Sequence, residues 1–248
     1  MSENSKSLKG VIQKARNHIL SLNDDWNGEG DRSFKEETFN KVSKFLLSLY
    51  QRVNIPVFPH ISPSENGEIG IHWKTGAFEL LLGIPESPDN IVGFYGDDGN
   101  GNNQIEEDCT IDMLEKKILP WISNMLLNAM LRDSELYILS LEDNWDGEGG
   151  RRFKKETFLR AVRIVRRILD VTGISFIPEI LPFTNGGIDI HWKNEKFELL
   201  VNVPEDLEEE VGYYGDDGGN GHKVRGKLSK VMESESPLTE WVMEMVEL

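Results

Sequence analysis

The N-terminal part of the chain carries apolar residues at helical spacing. Between residues 8 and 22 they return every three or four positions, which predicts an amphipathic helix. A segment rich in Asp, Asn and Gly follows and would end this helix. A second apolar stripe, from Phe39 to Val53, predicts another helix. It should stop before Pro56, because proline disfavours helical geometry at the residue that precedes it.

From about residue 69 the period changes to two. Ile69, Ile71 and Trp73 alternate with polar residues and glycine, and short apolar runs follow at 77–84 and 91–95. Such alternation is typical of strands with one buried face, and the Gly, Pro, Ser and Asn between the runs are typical of turns. The pattern predicts an antiparallel meander.

The same order of patterns returns in the second half of the chain. A shift of 119 positions aligns residues 19–99 with 138–218 without a gap, and 39 of the 81 pairs are identical. The shift predicts helices near 135–142 and 154–170 and strands near 175–180, 187–193, 196–203 and 211–215. A period of this length is the size of a domain, whereas solenoid repeats have about 20 to 50 residues. We therefore expect a tandem duplication.

A third helical stripe covers residues 111–126, with Pro120 inside it as a kink or a new start, and a counterpart surrounds Trp241. Together these patterns predict an α+β fold with two tandem homologous lobes, residues 1–132 and 133–248. Each lobe should have two helices packed on a four-stranded antiparallel meander, and a closing helix.

Two repeated motifs resemble those of a group of small uncharacterised prokaryotic proteins. The motifs are Trp145-Asp-Gly-Glu-Gly149 with Gly187-Ile-Asp-Ile-His-Trp192, and Trp26-Asn-Gly-Glu-Gly30 with Glu68-Ile-Gly-Ile-His-Trp73. The group's pattern is Trp-Asp-Gly-x-Gly, a helix, then Gly-x-Ile-x-x-x-Trp. This chain departs from it at Asn27, Glu68, Asp31 and Gly150. The resemblance implies no particular chemistry.

The chain is strongly acidic, with 43 Asp and Glu residues against 27 Lys and Arg and a formal net charge of -16. This balance argues against general binding of duplex nucleic acid, because such binding depends on Lys and Arg replacing counterions at phosphates. It fits a basic protein partner. No stretch has the apolar length of a signal or a membrane span, and the lone Cys109 cannot form an internal disulfide. We therefore expect a cytoplasmic protein without a membrane partner.

The loop after the first helix invites a calcium interpretation. Counted from Asp25, side-chain oxygens stand at positions one, three and five, a glycine at six and Glu36 at twelve. The second lobe has Asn144 at the first position and Lys155 at the twelfth, which argues against it. The other interpretation is that Trp26 and Trp145 anchor the loop, that the glycines permit left-handed turns and that the acids cap the next helix.

A second candidate site is a cross-strand pair of histidine and glutamate in each lobe. His72 and His191 precede a tryptophan on predicted strands, and Glu79 and Glu198 lie on the strands expected to pair with them. With the Asp-Asp pairs that follow the next strand, these residues could form one acid/base or metal site per lobe. They could equally be surface ion pairs, and the Asp-Asp-Gly segments fit simple turns.

The second helix of lobe two is basic, unlike its counterpart in lobe one. It carries Arg160, Arg163, Arg166 and Arg167. These arginines could bind a phosphate-bearing ligand, or they could neutralise acidic segments such as residues 205–210. The favoured hypothesis from sequence is a non-enzymatic acidic protein, without a cofactor or metal, that binds and inhibits a basic protein, as an immunity protein or a nucleic-acid mimic does. The expected acidic contacts are Glu29, Asp97, Asp98, Glu148, Asp216 and Asp217. The alternatives are a hydrolase with one His/Asp/Glu site per lobe, and a calcium-binding protein.

Overall fold

The computed structural model describes residues 7–53, 55–87, 91–99, 101, 103–172, 177–194, 197–218, 223–228 and 237–247. The chain divides into two compact units, Met1–Leu126 and Leu127–Leu248. Each unit has its own antiparallel sheet and its own hydrophobic core.

Unit 1 begins with two helices, α1 (Leu8–Ile19) and α2 (Glu36–Arg52). Ser7 starts α1 because its side chain accepts a hydrogen bond from the backbone N–H of Gly10 at 3.1 Å. In α2 the apolar stripe buries one side of the helix, including Phe39 and Leu46, and the chain becomes extended at Val53. The two helices predicted for this region are therefore present.

The sheet of unit 1 is a five-stranded meander in which each strand pairs with the next. Its strands are β1 (His60–Pro63), β2 (Ile69–Lys74), β3 (Glu79–Ile84), β4 (Val92–Asp97) and β5 (Ile105–Cys109). Ile71, Trp73, Leu80 and Leu82 face the core, and Trp73 lies opposite Leu80 in the register. The other face of the sheet is open to solvent, as the alternating burial along β2 and β4 shows.

Unit 2 has a similar order of elements, with the last part of a helix at the boundary between the units in place of a separate first helix. It has the helix α4 (Lys155–Thr172), a second five-stranded meander and the helix α5 (Pro237–Glu247). The strands are β6 (Glu179–Pro182), β7 (Ile188–Lys193), β8 (Glu198–Val203), β9 (Val211–Asp216) and β10 (Lys223–Leu228). Trp192 lies opposite Leu199 on neighbouring strands, just as Trp73 lies opposite Leu80 in unit 1, and the two pairs are 119 positions apart in the sequence.

One helix, α3 (Ile111–Leu139), occupies the boundary between the units. We expected two helices here, one closing lobe one and one opening lobe two near 135–142. That expectation is wrong, because residues 126–134 contain neither glycine nor proline and consist mostly of good helix formers, so nothing interrupts the helix. Pro120 lies inside α3 and does not divide it.

The prediction of four strands per sheet is also wrong, since each sheet has five. The outer strand β5 was missed because its sequence is mostly charged and exposed, so it lacks the apolar alternation that marks a half-buried strand. In β10 charged residues do alternate with Val224 and Leu228, but the run is short and has a glycine in its middle. Of the strand predicted at 175–180, positions 175 and 176 lie outside the described residues, and the observed strand β6 starts at Glu179.

Candidate functional site

The Trp-x-Gly-Glu-Gly motif forms the same loop in both units. Each loop starts with a residue at positive φ, Asp25 at 63° and Asn144 at 66°. The side-chain oxygen of that residue accepts a hydrogen bond from the backbone N–H of the second glycine, Gly30 or Gly149, at 2.8 Å in both cases. These glycines have φ of 86° and 94°, a region that residues with a side chain rarely adopt. The motif is thus explained by the shape of the loop.

Several of the oxygens that the calcium interpretation requires accept hydrogen bonds within the loop itself. Besides the bond of Asp25, the Oδ1 atom of Asn27 accepts from the backbone N–H of Glu29 at 3.0 Å. In the second loop Asp146 Oδ1 accepts from the N–H groups of Glu148 and Gly150, and these bonds lower the pKa of Asp146. Such internal bonds close the loop without an ion.

The loops rest on their aromatic residues and present an acid at the tip. Trp26 is half-buried against Phe34 with 5.8 Å between ring centroids, and Trp145 lies against Phe153 at 5.9 Å. The carboxylates of Glu29 and Glu148 are exposed at the tips. Both tryptophans therefore anchor their loops, as expected, and both glutamates are accessible to a partner.

The predicted pairs of histidine and glutamate are present on the open face of both sheets. His72 Nε2 lies 2.7 Å from Glu79 Oε1, and His191 Nε2 lies 2.6 Å from Glu198 Oε1. A lysine occupies the second oxygen of each glutamate, Lys74 at 3.0 Å in unit 1 and its equivalent, Lys193, at 3.2 Å in unit 2. Each carboxylate is therefore shared between two nitrogen donors.

This sharing makes the glutamates weak bases. The hydrogen bonds from Lys74 and then His72 lower the pKa of Glu79, and those from His191 and then Lys193 lower the pKa of Glu198. A general base works best when its pKa lies near the operating pH. Over the part of the chain that the structure describes, no group of three or more His, Cys, Asp or Glu side chains is placed to hold a metal ion. The glutamates of these pairs are therefore better suited to hold a ligand by charge than to act as general bases near neutral pH.

The aspartates at the ends of β4 and β9 differ in what neutralises them. Asp97 lies opposite Glu79 in the register, and its Oδ2 atom accepts from Tyr95 at 3.2 Å and from Gln104 at 2.7 Å. Both donors are uncharged, so the negative charge of Asp97 stays uncompensated by them. Asp216 accepts from Tyr214 at 2.8 Å and also pairs with the ammonium of Lys223 at 2.8 Å, which lowers its pKa. Of these two acids, Asp97 is therefore the better contact for a basic partner.

The neighbouring aspartates are less accessible. Asp98 is half-buried and accepts a hydrogen bond from Asn103 Nδ2 at 2.7 Å. Asp217 has only 5% of its surface exposed. The structure therefore does not present Asp217 as a contact, and the sequence could not distinguish it from Asp216 because both precede a turn glycine.

Two apolar side chains lie exposed at the centre of the open face of sheet 1. Leu81 is 42% exposed and Tyr95 is 36% exposed, and they are opposite one another on β3 and β4. His72 is the residue opposite Leu81 on β2, so the three form one row across the sheet. The sequence indicates only that 77–84 and 91–95 are apolar runs. The alternation of β2, continued across the sheet, could have placed both residues on the open face.

The basic helix α4 makes contacts mainly within its own unit. Arg160 donates to the backbone carbonyls of Asp206 at 3.2 Å and Glu209 at 2.7 Å. Just before the helix, Arg151 and Lys154 each lie 2.9 Å from the carboxylate of Glu205. Neutralisation of the acidic segment is therefore seen at Glu205, by Arg151 and Lys154. Within the helix, Arg166 donates to Asn128 at 2.8 Å and Arg167 lies 3.7 Å from Asp170.

Comparison with protein-family models, with curated proteins and with solved structures finds no match to this chain. No helix within the described residues has both the length and the apolar character needed to cross a bilayer. The function is therefore argued from the chain's own residues.

Proposed function

We propose that this chain is a non-catalytic binding protein of the cytoplasm that attaches to a basic protein through the open face of sheet 1, and that this binding inhibits the partner. The binding surface consists of Glu79, Leu81, Tyr95 and Asp97, which we call the unit 1 patch. The loop acids Glu29 and Glu148 add negative charge that attracts the same kind of partner.

The main support for this proposal is that the exposed apolar side chains of Leu81 and Tyr95 lie next to the carboxylate of Asp97, which forms no ion pair with a basic side chain among the described residues. Leu81 and Tyr95 expose large apolar surfaces, and tyrosine is enriched among the residues that dominate binding energy at interfaces. Asp97 lies two residues from Tyr95, and among the described residues its Oδ2 atom accepts only from uncharged donors. A lysine or arginine of the partner could therefore pair with Asp97 while an apolar group packs on Tyr95.

The equivalent face of unit 2 supports this choice by contrast. Tyr214 is as exposed as Tyr95, at 40%, but the neighbouring Asp216 already pairs with Lys223. The exposed strand β10 adds Arg225 and Lys227 to the same face. A basic partner should therefore prefer the unit 1 patch to its counterpart. The similar elements and register of the two units support our further proposal that they arose by duplication of one module.

Hydrolysis remains a second candidate because the pairs of histidine and glutamate occur with nearly the same geometry in both units. The double variant His72→Ala with His191→Ala tests it. Because His72 contacts Glu79 of the unit 1 patch, partner affinity is measured in parallel. If the chain is a binding protein, the biological effect of the double variant changes only as far as its affinity for the partner does. Loss of that effect, with the fold and partner binding intact, would favour the enzyme.

The binding proposal is tested by capture from the native host, followed by affinity measurements with the purified partner. Tyr95→Ala is the test variant and Tyr214→Ala is its matched control, because the two tyrosines have similar exposure and equivalent positions. We expect Tyr95→Ala to weaken binding about tenfold or more, as truncation of an interface tyrosine often does. Tyr214→Ala should leave the affinity nearly unchanged.

Two results would contradict the proposal. One is that nothing specific is captured at any salt concentration. The other is that a captured partner binds Tyr95→Ala as tightly as wild type, which would place the interface elsewhere on the chain.

A further inference from the structure

The outermost strands of the two sheets carry opposite charges at equivalent positions. In β5, Glu106 lies opposite Tyr95 and Asp108 lies opposite Gly93. In β10, 119 positions on, Arg225 lies opposite Tyr214 and Lys227 lies opposite Gly212. All four charged residues are exposed and lie on the open faces of their sheets. At these two equivalent open-face positions, the edge strand of sheet 1 is therefore negatively charged and the edge strand of sheet 2 is positively charged.

Both strands are edges that could accept another strand. Among the described residues, β5 pairs only with β4 and β10 pairs only with β9. An edge strand presents unpaired N–H and C=O groups, and charged side chains there discourage pairing with a strand of the same sign. Two β5 strands would repel each other, and so would two β10 strands. The only attractive combination of these edges is β5 with β10.

From this we propose that β5 of one copy of this chain pairs in antiparallel orientation with β10 of a second copy. When Glu107 is set opposite Gly226, Glu106 lies opposite Lys227 and Asp108 lies opposite Arg225, all on the open face. In the same register Ile105 meets Leu228 and Cys109 meets Val224 on the other face. Directly opposed residues of paired strands lie on the same face of the sheet. This register therefore sets each acidic residue opposite a basic one and each apolar residue opposite another apolar one.

The local surroundings leave these residues available. Lys227 pairs with Glu210 at 2.7 Å, but both side chains are more than 60% exposed, so exchanging that partner costs little. Glu107 already pairs with Lys117 and need not pair across the new contact. Every copy carries one acidic and one basic edge, so the contact is head-to-tail and can continue from copy to copy unless a ring closes.

Sedimentation velocity on the full chain tests this contact. Salt should be near 150 mM, where the Debye length of about 8 Å screens the repulsion between two chains of net charge -16 better than it screens touching pairs. We expect the average mass to rise with concentration above the monomer value of 28.3 kDa. A wild-type protein that stays monomeric up to its solubility limit would overturn the proposal.

Charge-reversed variants identify the edges. One variant is Glu106→Arg with Asp108→Lys, and the other is Arg225→Glu with Lys227→Asp. Each should weaken association about tenfold or more, because two attractive cross-strand pairs become repulsive. An equimolar mixture of the two should recover association, since acidic edges then meet basic ones again. The control Glu65→Arg with Glu142→Lys changes the net charge by as much as the first variant, at exposed positions outside the strands, and should associate as wild type does.

Hydrogen exchange on the wild type needs no variant and provides a second test. Amides of β5 and β10 should become more protected as concentration rises, while those of the opposite edges, β1 and β6, should not change. The contact would be overturned if the chain associates while the amides of β5 and β10 exchange as fast as in the monomer. It would also be overturned if association persists in both charge-reversed variants. Glu106 lies beside Tyr95, so the two proposals are separated with the β10 variant. Arg225→Glu with Lys227→Asp alters an edge of unit 2 and leaves the unit 1 patch unchanged, so either proposal can fail alone.

Discussion

Removing a single hydroxyl group should destabilise unit 1 selectively. The indole N–H of Trp73, which is fully buried, donates to the hydroxyl of Tyr50 at 3.0 Å, and that hydroxyl donates in turn to the backbone carbonyl of Val57. Tyr50→Phe keeps the ring and removes both hydrogen bonds. A buried donor left unsatisfied costs about 1–3 kcal/mol, so we expect unit 1 to lose about 2 kcal/mol of unfolding free energy.

Hydrogen exchange measured by mass spectrometry is the appropriate assay, because a chain with two units need not unfold in one step. A loss of about 2 kcal/mol accelerates exchange about thirtyfold for amides that exchange through unfolding of unit 1. Peptides from unit 2 should exchange as in the wild type. Unchanged protection in β2 and β3, or a loss confined to unit 2, would refute the reasoning.

Unit 2 offers the reciprocal experiment. Its equivalent tryptophan, Trp192, is fully buried, and its Nε1 atom has no hydrogen-bond partner among the described residues. Leu169 occupies the position that corresponds to Tyr50. Leu169→Tyr should therefore supply the missing acceptor and stabilise unit 2 by about 1 kcal/mol, measured by the same exchange experiment. A destabilised unit 2 would show that the two cores are not interchangeable at this position.

Three further predictions concern pH, packing and calcium. Burial raises the pKa of Tyr50 to about 12, so the neutral phenol stabilises the fold below its ordinary pKa of 10.0. That contribution is lost as pH rises through 12, and urea midpoints above pH 10 should fall more steeply for wild type than for Tyr50→Phe. Gly96→Ala would place a methyl group 2.7 Å from Trp121 and should cost about 1–3 kcal/mol in urea unfolding, whereas Gly76→Ala meets no atom within 4 Å and should change stability by less than about 1 kcal/mol. Added calcium should leave the melting temperature unchanged, because several of the loop oxygens already accept hydrogen bonds and the second loop has Asn144 and Lys155 at the first and twelfth positions. A rise that grows with calcium concentration would show that the ion binds.

Much of the fold could be predicted from sequence because helices and half-buried strands have different apolar periods. The stripe of α2 and the alternation of β2 are clear in the sequence. The outer strand β5 could not be predicted in this way, because its mostly charged side chains carry no periodic signal. In β10 charged residues alternate with Val224 and Leu228, and only the shortness of the run and its central glycine obscure the pattern.

The sequence predicted that histidine and glutamate pair in the candidate site, but it did not predict which groups contact the neighbouring aspartates. The spacing of His72 and Glu79 placed them on neighbouring strands, and the structure has them in contact. The difference between Asp97 and Asp216 depends on Gln104 and Lys223, which lie on or next to the strands that the sequence did not reveal. For the same reason the opposite charges of the two sheet edges became apparent only when the register was known.

The most direct test of the binding function is the affinity of a purified partner for wild type, Asp97→Asn and Asp216→Asn at several salt concentrations. We expect Asp97→Asn to bind more weakly and with a smaller dependence on salt, because it removes the uncompensated charge of the patch, while Asp216→Asn binds nearly as wild type does. Equal affinities and equal salt dependence for all three proteins would contradict a basic partner bound at the open face of sheet 1.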